Sequence, residues 1–198
     1  RPTDEAVLVG RYIARALRPL FDGALRNEVQ IVVTCLAFDG ENDPDVLGLI
    51  AASCALHMSD IPWNGPIADI RVGQVDGQWV INPTYEARAK SLLDLSFAGT
   101  RDTIIMVEAG AREVGEEQML AAFEFAQPYI HALIEAQNRL RDLVGLPKGD
   151  YPVHPFPEEV CKKIRQRYSE EMKKAFFIKI KRERNRAFQK IGERIFDE

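Results

Sequence analysis

The sequence predicts an α+β fold followed by an all-helical segment. Apolar residues recur first at helical spacing, then in short strand-like runs, and then again at helical spacing over a long stretch. The dipeptide Asp76-Gly77 separates two of the short runs. It is a strong hairpin signal, because a type I′ turn needs residues that tolerate positive φ. A hairpin indicates an antiparallel or mixed sheet, and the order of the elements therefore favours α+β.

The first part of the chain predicts a helix, a strand and a second helix. Thr3 is a candidate N-cap, and Pro19 ends this first helix or breaks its last turn. The segment Glu28–Phe38 is rich in Val and Ile, contains no Gly or Pro, and predicts a buried strand. An acidic turn then leads into a helix over about Asp45–Ser59, whose small side chains would let it approach a sheet closely.

Four strands and a long helix are predicted next. The strands cover Ala68–Gly73, Gln78–Asn82, Leu92–Ala98 and Thr103–Glu108, and the helix runs from about residue 115 to residue 144. One face of this helix is expected to pack on the core because its residues alternate steps of four and three. These residues are Met119, Phe123, Ala126, Ile130, Leu133, Gln137, Leu140 and Val144.

A segment rich in proline and glycine marks a domain boundary. Residues 145–157, GLPKGDYPVHPFP, contain four prolines and two glycines. Beyond them the pattern predicts only helices, over about Glu158–Tyr168 and Glu171–Phe196. The sequence therefore predicts a core at residues 1–148, a linker at 149–157 and a helical segment at 158–198.

Composition and charge exclude several classes of protein. Apolar residues make up 46% of the chain, and no apolar run approaches the roughly 18 residues of a membrane span. The three cysteines form no CxxC pair, which argues against a disulfide framework or a zinc site and favours the cytoplasm. The chain does not begin with Met, so we expect the natural protein to begin upstream.

The net charge of −4 is distributed unevenly. Residues 1–149 carry 13 basic and 21 acidic side chains, whereas residues 150–198 carry 13 basic and 9 acidic ones. The first part is therefore not a generic nucleic-acid-binding surface. The basic second part either attracts an anionic partner or presents a solvated helix face.

General catalytic motifs are missing from the chain. The sequence contains no P-loop, GxGxxG, HExxH or GxSxG pattern, and its three histidines follow no metal-ligand spacing. The residues by themselves therefore indicate only a soluble α+β domain with a helical extension.

Four stretches nevertheless match the motifs of one family in their order and spacing. The chain resembles the polynucleotide phosphorylase family over about residues 1–148, whereas the remainder resembles it only by position and helicity. The four stretches are RPTDEAVLVGRYIARALRPLF (1–21), NEVQIVVT (27–34), NDPDVLGLIAASCALHMSDIPWNGPIADIRVG (42–73), and WVINPTYE with LDLSFAGTRDTIIMVEAGAREVGEEQML (79–86 and 93–120).

The resemblance implies an incomplete RNase PH-like core, of the type also seen in domain 2 of ribosomal protein S5, without its N-terminal strands. It also implies that the helical segment is the start of the family's all-helical linker domain. Missing strands would leave a sheet edge and apolar surface uncovered, so we expect the chain to associate with other chains.

The resemblance also implies an activity. The family degrades RNA from the 3′ end with inorganic phosphate, releases nucleoside diphosphates, and can polymerise them in reverse. It works as a homotrimer in the cytoplasm, not at a membrane, and other RNA-decay proteins are candidate partners. Catalysis belongs to a second core, where carboxylates hold Mg²⁺, so we expect no catalytic residue and no metal site in this chain.

Three residues are expected to be degenerate counterparts of the active core's site. Asp94 stands where one active-core aspartate is expected, but the second aspartate position is Arg88, and a cation cannot ligate Mg²⁺. The phosphate-binding serine pair of the active core is reduced to Ala52-Ser53. Alternatively, Asp94 holds a strand end and Ser53 is a small packing residue.

The resemblance also suggests RNA contacts. Arg1 follows the position of the loop that narrows the family's RNA channel. Arg11, Arg15 and Arg18 fall on one face of the first helix and either line an RNA path or pair with acids across a core or subunit interface.

Two other functions are alternatives. The first is a non-catalytic, RNA-binding ring subunit of an exosome-like assembly. The second is a stand-alone, tRNA-processing RNase PH, which Arg88 and the helical segment argue against because that family keeps both aspartates and lacks the helices.

Overall fold

The computed structural model describes residues 2–197, and the chain divides into two compact units between Pro152 and Val153. No helix in this described range is both long and apolar enough to cross a membrane. The first unit contains α1 (Asp4–Leu17), α2 (Asp45–Met58), β1 (Ala68–Val75), β2 (Gln78–Ile81), α3 (Tyr85–Lys90), β3 (Leu93–Gly99), β4 (Ile104–Ala111) and α4 (Glu116–Val144), and the second contains α5 (Glu158–Phe176) and α6 (Lys181–Asp197).

The strands of the described residues form one antiparallel sheet in the order β2-β1-β3-β4. β1 and β2 are joined by the predicted turn, in which Asp76 and Gly77 have φ values of 50° and 77°. β1 and β3 are the central strands, with Ile70 opposite Phe97 and Val72 opposite Leu95. The predicted α+β fold, its helical extension and its four strands are confirmed.

Side chains alternate across the two faces of the central strands. Ile70, Val72, Leu95 and Phe97 lie on one face, where they join the apolar side chains of α4 in one buried cluster. The intervening residues of β1 and β3 point to the opposite face and are largely polar. α1 and α2 share a second cluster, which includes Ala98 and Met106 of β3 and β4.

α1 begins as its sequence predicts. The Thr3 side chain accepts a hydrogen bond from the backbone N–H of Ala6, and two acidic residues in the first turn complement the helix dipole. Pro19 lies in a short 3₁₀ turn directly after the helix, as expected of a residue that cannot continue an α-helical ladder.

A buried strand over Glu28–Phe38 was predicted wrongly. The segment has no regular structure and is mostly exposed, with Leu36 at 93% and the Cys35 thiol also facing solvent. Its Val- and Ile-rich composition fits a sheet, but a strand forms only where a neighbour completes its hydrogen-bonded ladder. No strand in residues 2–197 supplies one.

One helix, one boundary and one helix face also differ from the prediction. α3 was not predicted, because six residues give too few turns for a periodic pattern. The break expected near residue 169 lies instead at residues 177–180, since α5 continues to Phe176. On α4 the predicted apolar face holds as far as Gln137, but Leu140 and Val144 are exposed.

Residues that follow α4 return to the end of α2. The Lys148 ammonium donates to the backbone carbonyls of Leu56 and Ser59, both at 2.8 Å, and these bonds satisfy acceptors that the helix end leaves open. The Leu146 N–H donates to the Met58 carbonyl at 2.8 Å. The Gly149 N–H and the Tyr151 hydroxyl likewise donate to Asp60, so the chain remains anchored to the first unit as far as Tyr151.

The second unit is a hairpin of α5 and α6. Tyr168, Ala175 and Ile191 form its buried centre. Partly buried apolar residues surround this centre, namely Ile164, Ala187, Phe188 and Ile195.

A buried polar network joins α2, the start of β1 and α4. The Ser53 hydroxyl donates to the Gln137 carbonyl oxygen at 2.7 Å and accepts from the Ile67 N–H at 3.0 Å. The Gln137 amide donates in return to the Ile67 carbonyl at 2.9 Å. Every member is satisfied, so the network holds the two helices in register against the sheet.

We predict that Gln137→Leu lowers the free energy of unfolding by about 1–3 kcal/mol, because the buried Ser53 hydroxyl loses its acceptor and the buried Ile67 carbonyl loses its donor. Urea denaturation followed by circular dichroism measures the change. Gln127→Leu on the exposed face of the same helix is the control and should change stability by less than about 0.5 kcal/mol. Equal stability of the two variants would contradict the assigned network.

Candidate functional site

A cavity of about 1030 Å³ lies in the first unit, at the polar face of the sheet. Its walls come from α1 and the 3₁₀ turn, the turn before α2, α3, and strands β1, β3 and β4. Most of its charged groups come from three places. These are α1 with the 3₁₀ turn, the turn before α2 with the first residue of α2, and the sheet with α3. The charged groups are Arg11, Arg15, Arg18, Asp43, Asp45, Arg71, Arg88 and Asp94.

The alternation of side chains along β1 and β3 determines which residues the sheet contributes to the cavity. Asp69 and Arg71 alternate along β1 with the apolar residues that face α4, as do Asp94 and Ser96 along β3. Arg71 lies directly opposite Ser96 in the ladder. The same pleat that builds the apolar core on one face therefore assembles a charged group on the other.

Arg71 is the centre of this charged group. Its guanidinium donates to Asp45 and to Asp94, the latter at 3.1 Å, and lies 3.7 Å from Asp43. Burial favours the neutral form of Arg71, but the charges of the three carboxylates outweigh burial and raise its pKa. The arginine is thus a permanent cation held among three acids, which we call the Arg71 cluster together with Arg88.

Arg88 completes the cluster from α3. It donates to Asp43 at 2.6 Å and to Asp94 at 3.0 Å, and its guanidinium lies 5.5 Å from the centre of the Tyr85 ring. The Thr84 side chain caps α3 by accepting from the Ala87 N–H. The predicted pair Asp94 and Arg88 is therefore brought into direct contact.

The pKa values of Asp43, in the turn before α2, and of Asp45, the first residue of α2, shift in opposite directions. Burial and the nearby charge of Asp43 raise the pKa of Asp45, against the opposing charge of Arg71. Burial also acts to raise the pKa of Asp43, but the hydrogen bond from Arg88 and the bond from the Asp45 N–H outweigh it, so the pKa is lowered. Asp43 is consequently the firmly ionised member of the pair.

A second polar network lies beside the cluster. The Tyr12 hydroxyl of α1 donates to Asp69 and also contacts the Ser96 hydroxyl, which donates to Asp69 at 3.2 Å. Asp69 is 0% exposed, and its burial raises the pKa of its carboxyl to about 7. Burial and the charge of Asp69 likewise raise the pKa of Tyr12, which therefore keeps its proton.

The Arg71 cluster does not fit a divalent cation. A magnesium ion needs several oxygen ligands around one point, and here two guanidinium groups lie between the carboxylates. Within residues 2–197 no group of three or more His, Cys, Asp or Glu side chains could hold a metal. No catalytic step can therefore be assigned to a metal at this site.

The sequence predicts that Arg11, Arg15 and Arg18 share one face of the first helix, and all three line the cavity, with Arg18 in the 3₁₀ turn after α1. Arg15 also donates to Glu108 of β4, and because both side chains are largely exposed, this ion pair contributes little stability. Arg1, the fourth predicted RNA contact, lies outside the described residues. Ser53 does not join the cavity, because its hydroxyl belongs to the buried network with Gln137.

Sequence reasoning missed Asp43, Asp45, Arg71, Tyr12 and Asp69. A signal was available for the two β1 residues, because charges at alternate positions of an otherwise apolar strand indicate a polar face. Asp43 and Asp45 stand in an acid-rich turn, which alone does not reveal the arginines they meet.

The sequence and the fold were then compared with known proteins. The family model described as "3′ exoribonuclease family, domain 1" matches residues 1–62, and "3′ exoribonuclease family, domain 2" matches residues 65–128. Together the two matches cover nearly two thirds of the chain in the family's own order. The chain belongs to the 3′ exoribonuclease family.

Relatives named polyribonucleotide nucleotidyltransferase confirm the resemblance to polynucleotide phosphorylase. The Aquifex aeolicus protein is 44% identical over 197 residues, covering 100% of this chain and 25% of the relative. The Halothermothrix orenii protein is 46% identical over 193 residues, covering 98% of this chain and 27% of the relative. The chain thus spans about a quarter of the length of these curated relatives.

A solved structure supports the exoribonuclease-family fold. Rice Rrp46 superimposes with a TM-score of 0.55 at 10% sequence identity, covering 71% of this chain and 67% of the rice chain. This likeness is one of fold alone. It agrees with the RNase PH-like core expected from the sequence.

We predict that raising the pH from 5 to 8 destabilises the chain relative to its Asp69→Asn variant. The folded state holds the Asp69 proton up to about pH 7, whereas the unfolded state releases it near the usual value of 3.8. Stability from this group is therefore present at low pH and lost as pH rises towards 7 and above, by on the order of 2 kcal/mol.

Urea unfolding of both proteins at several pH values measures this difference. Asp102→Asn, at an exposed position, is the control and should follow the wild type at every pH. A wild-type to Asp69→Asn difference that stays constant from pH 5 to 8 would contradict the shifted pKa.

Proposed function

We propose that this chain is part of a phosphorolytic 3′-to-5′ exoribonuclease, which degrades RNA to nucleoside diphosphates and can polymerise them in reverse. Membership of the 3′ exoribonuclease family and the 44–46% identity to polyribonucleotide nucleotidyltransferases support this activity for the whole protein. We propose that residues 1–148 act as a scaffold and as a wall of the RNA channel, and that residues 158–198 begin a helical linker domain.

One observation carries the assignment of a non-catalytic role. Arg88 bonds directly to Asp94, and Arg71 bonds to the same carboxylate. Phosphoryl transfer depends on charge stabilisation and on in-line positioning of the reacting groups. A carboxylate already neutralised by two arginines is a poor ligand for a metal that would supply this stabilisation. We therefore assign Mg²⁺ and the attacking inorganic phosphate to another core of the whole protein.

The arginines of α1 are the proposed RNA contacts of this part. Arg11 and Arg18 line the open cavity from the helix and the 3₁₀ turn. Guanidinium groups bind phosphate oxygens strongly, and two bonds can form to one phosphate. The ion pair with Glu108 partly neutralises the charge of Arg15, so Arg11 and Arg18 are expected to contribute more to RNA binding than Arg15 does.

We further propose a cytoplasmic homotrimer, with RNA as substrate and other RNA-decay proteins as candidate partners. The exposed apolar side chains of the segment 28–38 support association with further protein, because large exposed apolar patches mark interaction sites.

This chain alone should release no nucleoside diphosphate from poly(A) in the presence of inorganic phosphate and Mg²⁺. Chromatographic detection of ADP measures the reaction, with a full-length relative as the positive control. Restoring an acid with Arg88→Asp should not produce activity, because one added carboxylate does not supply in-line geometry. Turnover that persists through purification and disappears in Asp94→Asn would overturn the non-catalytic assignment.

Arg11→Ala and Arg18→Ala should each weaken binding of single-stranded RNA by about threefold, because each removes an exposed ionic contact. The slope of log K against log salt should fall by about 0.7 for each lost phosphate contact. Fluorescence anisotropy with a labelled oligoadenylate measures both quantities. Arg139→Ala, exposed on α4, is the charge-matched control, and an equal loss there would contradict a specific RNA path.

A further inference from the structure

The connection between α5 and α6 carries an unusual combination of charge and exposed aromatic rings. We call residues 173–186, KKAFFIKIKRERNR, the basic aromatic turn. It contains seven basic side chains and one acidic one, within a chain whose net charge is −4. Such a concentration of positive charge at one end of a helical hairpin favours an anionic partner.

Two phenylalanines lie exposed at this turn. Phe176 is 66% exposed and Phe177 is 79% exposed, and their rings stand nearly perpendicular with centroids 5.7 Å apart. The buried centre of the hairpin consists of other residues, Tyr168, Ala175 and Ile191. The two rings therefore lie outside the buried centre of this hairpin.

Basic residues flank the two phenylalanines on both sides in the sequence. Lys173 bonds to Glu170 and Arg184 donates to the Ile178 carbonyl, so these two residues help to hold the turn. The remaining five basic side chains are exposed to solvent. They are Lys174, Lys179, Lys181, Arg182 and Arg186.

We propose that the basic aromatic turn binds single-stranded RNA, with bases stacked on Phe176 and Phe177 and phosphates paired with the surrounding lysines and arginines. This inference rests on the proposed RNA-degrading function and adds a binding site separate from the arginines of α1. Aromatic rings combined with basic side chains are the elements that sequence-tolerant single-strand binding requires.

Ring geometry selects single strands over duplexes. The two ring planes differ by 88°, so bases stacked on both rings cannot remain parallel to each other. A flexible single strand can turn between the rings, whereas a duplex keeps its bases stacked and parallel. Oligoadenylate should therefore bind to the full chain more tightly than a duplex with the same total number of phosphates.

The test measures binding of fluorescein-labelled oligoadenylate to the full chain by anisotropy. Phe176→Ala/Phe177→Ala should weaken binding by about 25-fold or more, since each of the two stacked bases contributes roughly a factor of five or more. Phe196→Ala is the matched control, because this ring is 91% exposed near the far end of α6, and it should leave affinity unchanged. Circular dichroism establishes that each variant keeps its helices.

Charge is tested separately from stacking. Lys179→Ala/Lys181→Ala should weaken binding and reduce its salt dependence, whereas Lys162→Ala/Lys163→Ala, exposed near the start of α5, should change both less. An abasic strand of the same length retains the phosphates and lacks the bases. The phenylalanine double variant should bind this strand as the wild type does, because no base is present to stack.

Several outcomes would overturn the inference. They are equal affinity of the phenylalanine double variant and Phe196→Ala for oligoadenylate, equal loss on the abasic strand, and binding of phosphatidylserine vesicles in preference to RNA. If RNA still binds and Arg11→Ala alone weakens it, this turn is excluded while the proposed function stands. If wild-type chain binds no RNA at all, the proposed RNA contacts of both units fail together.

Discussion

When helices cover both faces of a sheet, charged residues on the polar face need partners of opposite charge, because burying an unpaired charge is costly. β1 and β3 place Ile70, Val72, Leu95 and Phe97 under α4, and the pleat then fixes the opposite face as polar. Arg71 stands near the middle of that face and would be costly to bury without partners. Its pairing with the acids before α2 and with β3 allows the first unit to close around a polar centre.

The same pairing shapes the chemistry available to this member of the 3′ exoribonuclease family. A site intended for a metal keeps carboxylates free to converge on one point, whereas here each acid of the Arg71 cluster already bonds to a guanidinium. What remains is a large, open cavity bordered by arginines that can bind phosphate. This cavity is where we propose that the RNA backbone lies.

Much of the fold could be predicted from the sequence because its signals are local. The hairpin at Asp76-Gly77, the long periodicity of α4 and the proline-rich boundary each depend on neighbouring residues. The segment 28–38 could not be predicted correctly, because a strand forms only beside a partner strand that is distant in sequence. Composition shows only that the segment could form a strand. The short α3 could not be predicted for a related reason, since the tertiary contacts of Arg88 support this helix more than its own pattern does.

The candidate site was predicted only in part. Asp94 and Arg88 were named together because their motif resembles a family's active core, and they are in contact. Arg71 and Asp45 are 26 positions apart, and Tyr12 and Asp69 are 57 positions apart, so no spacing rule joins them. Alternation along β1 could have indicated the polar face, but only the folded chain shows which acids reach it.

Arg88 is carried by α3, a helix of only six residues. Isolated helices of this length do not persist in water, so contacts made by Arg88 and the Thr84 cap must hold it. Local unfolding of α3 would remove one guanidinium from Asp43 and Asp94 at once. The balance of positive and negative charge in the cavity is therefore linked to the local folding and unfolding of α3. Amide hydrogen exchange in the six residues of this helix would show how often Asp43 and Asp94 lose the charge of Arg88.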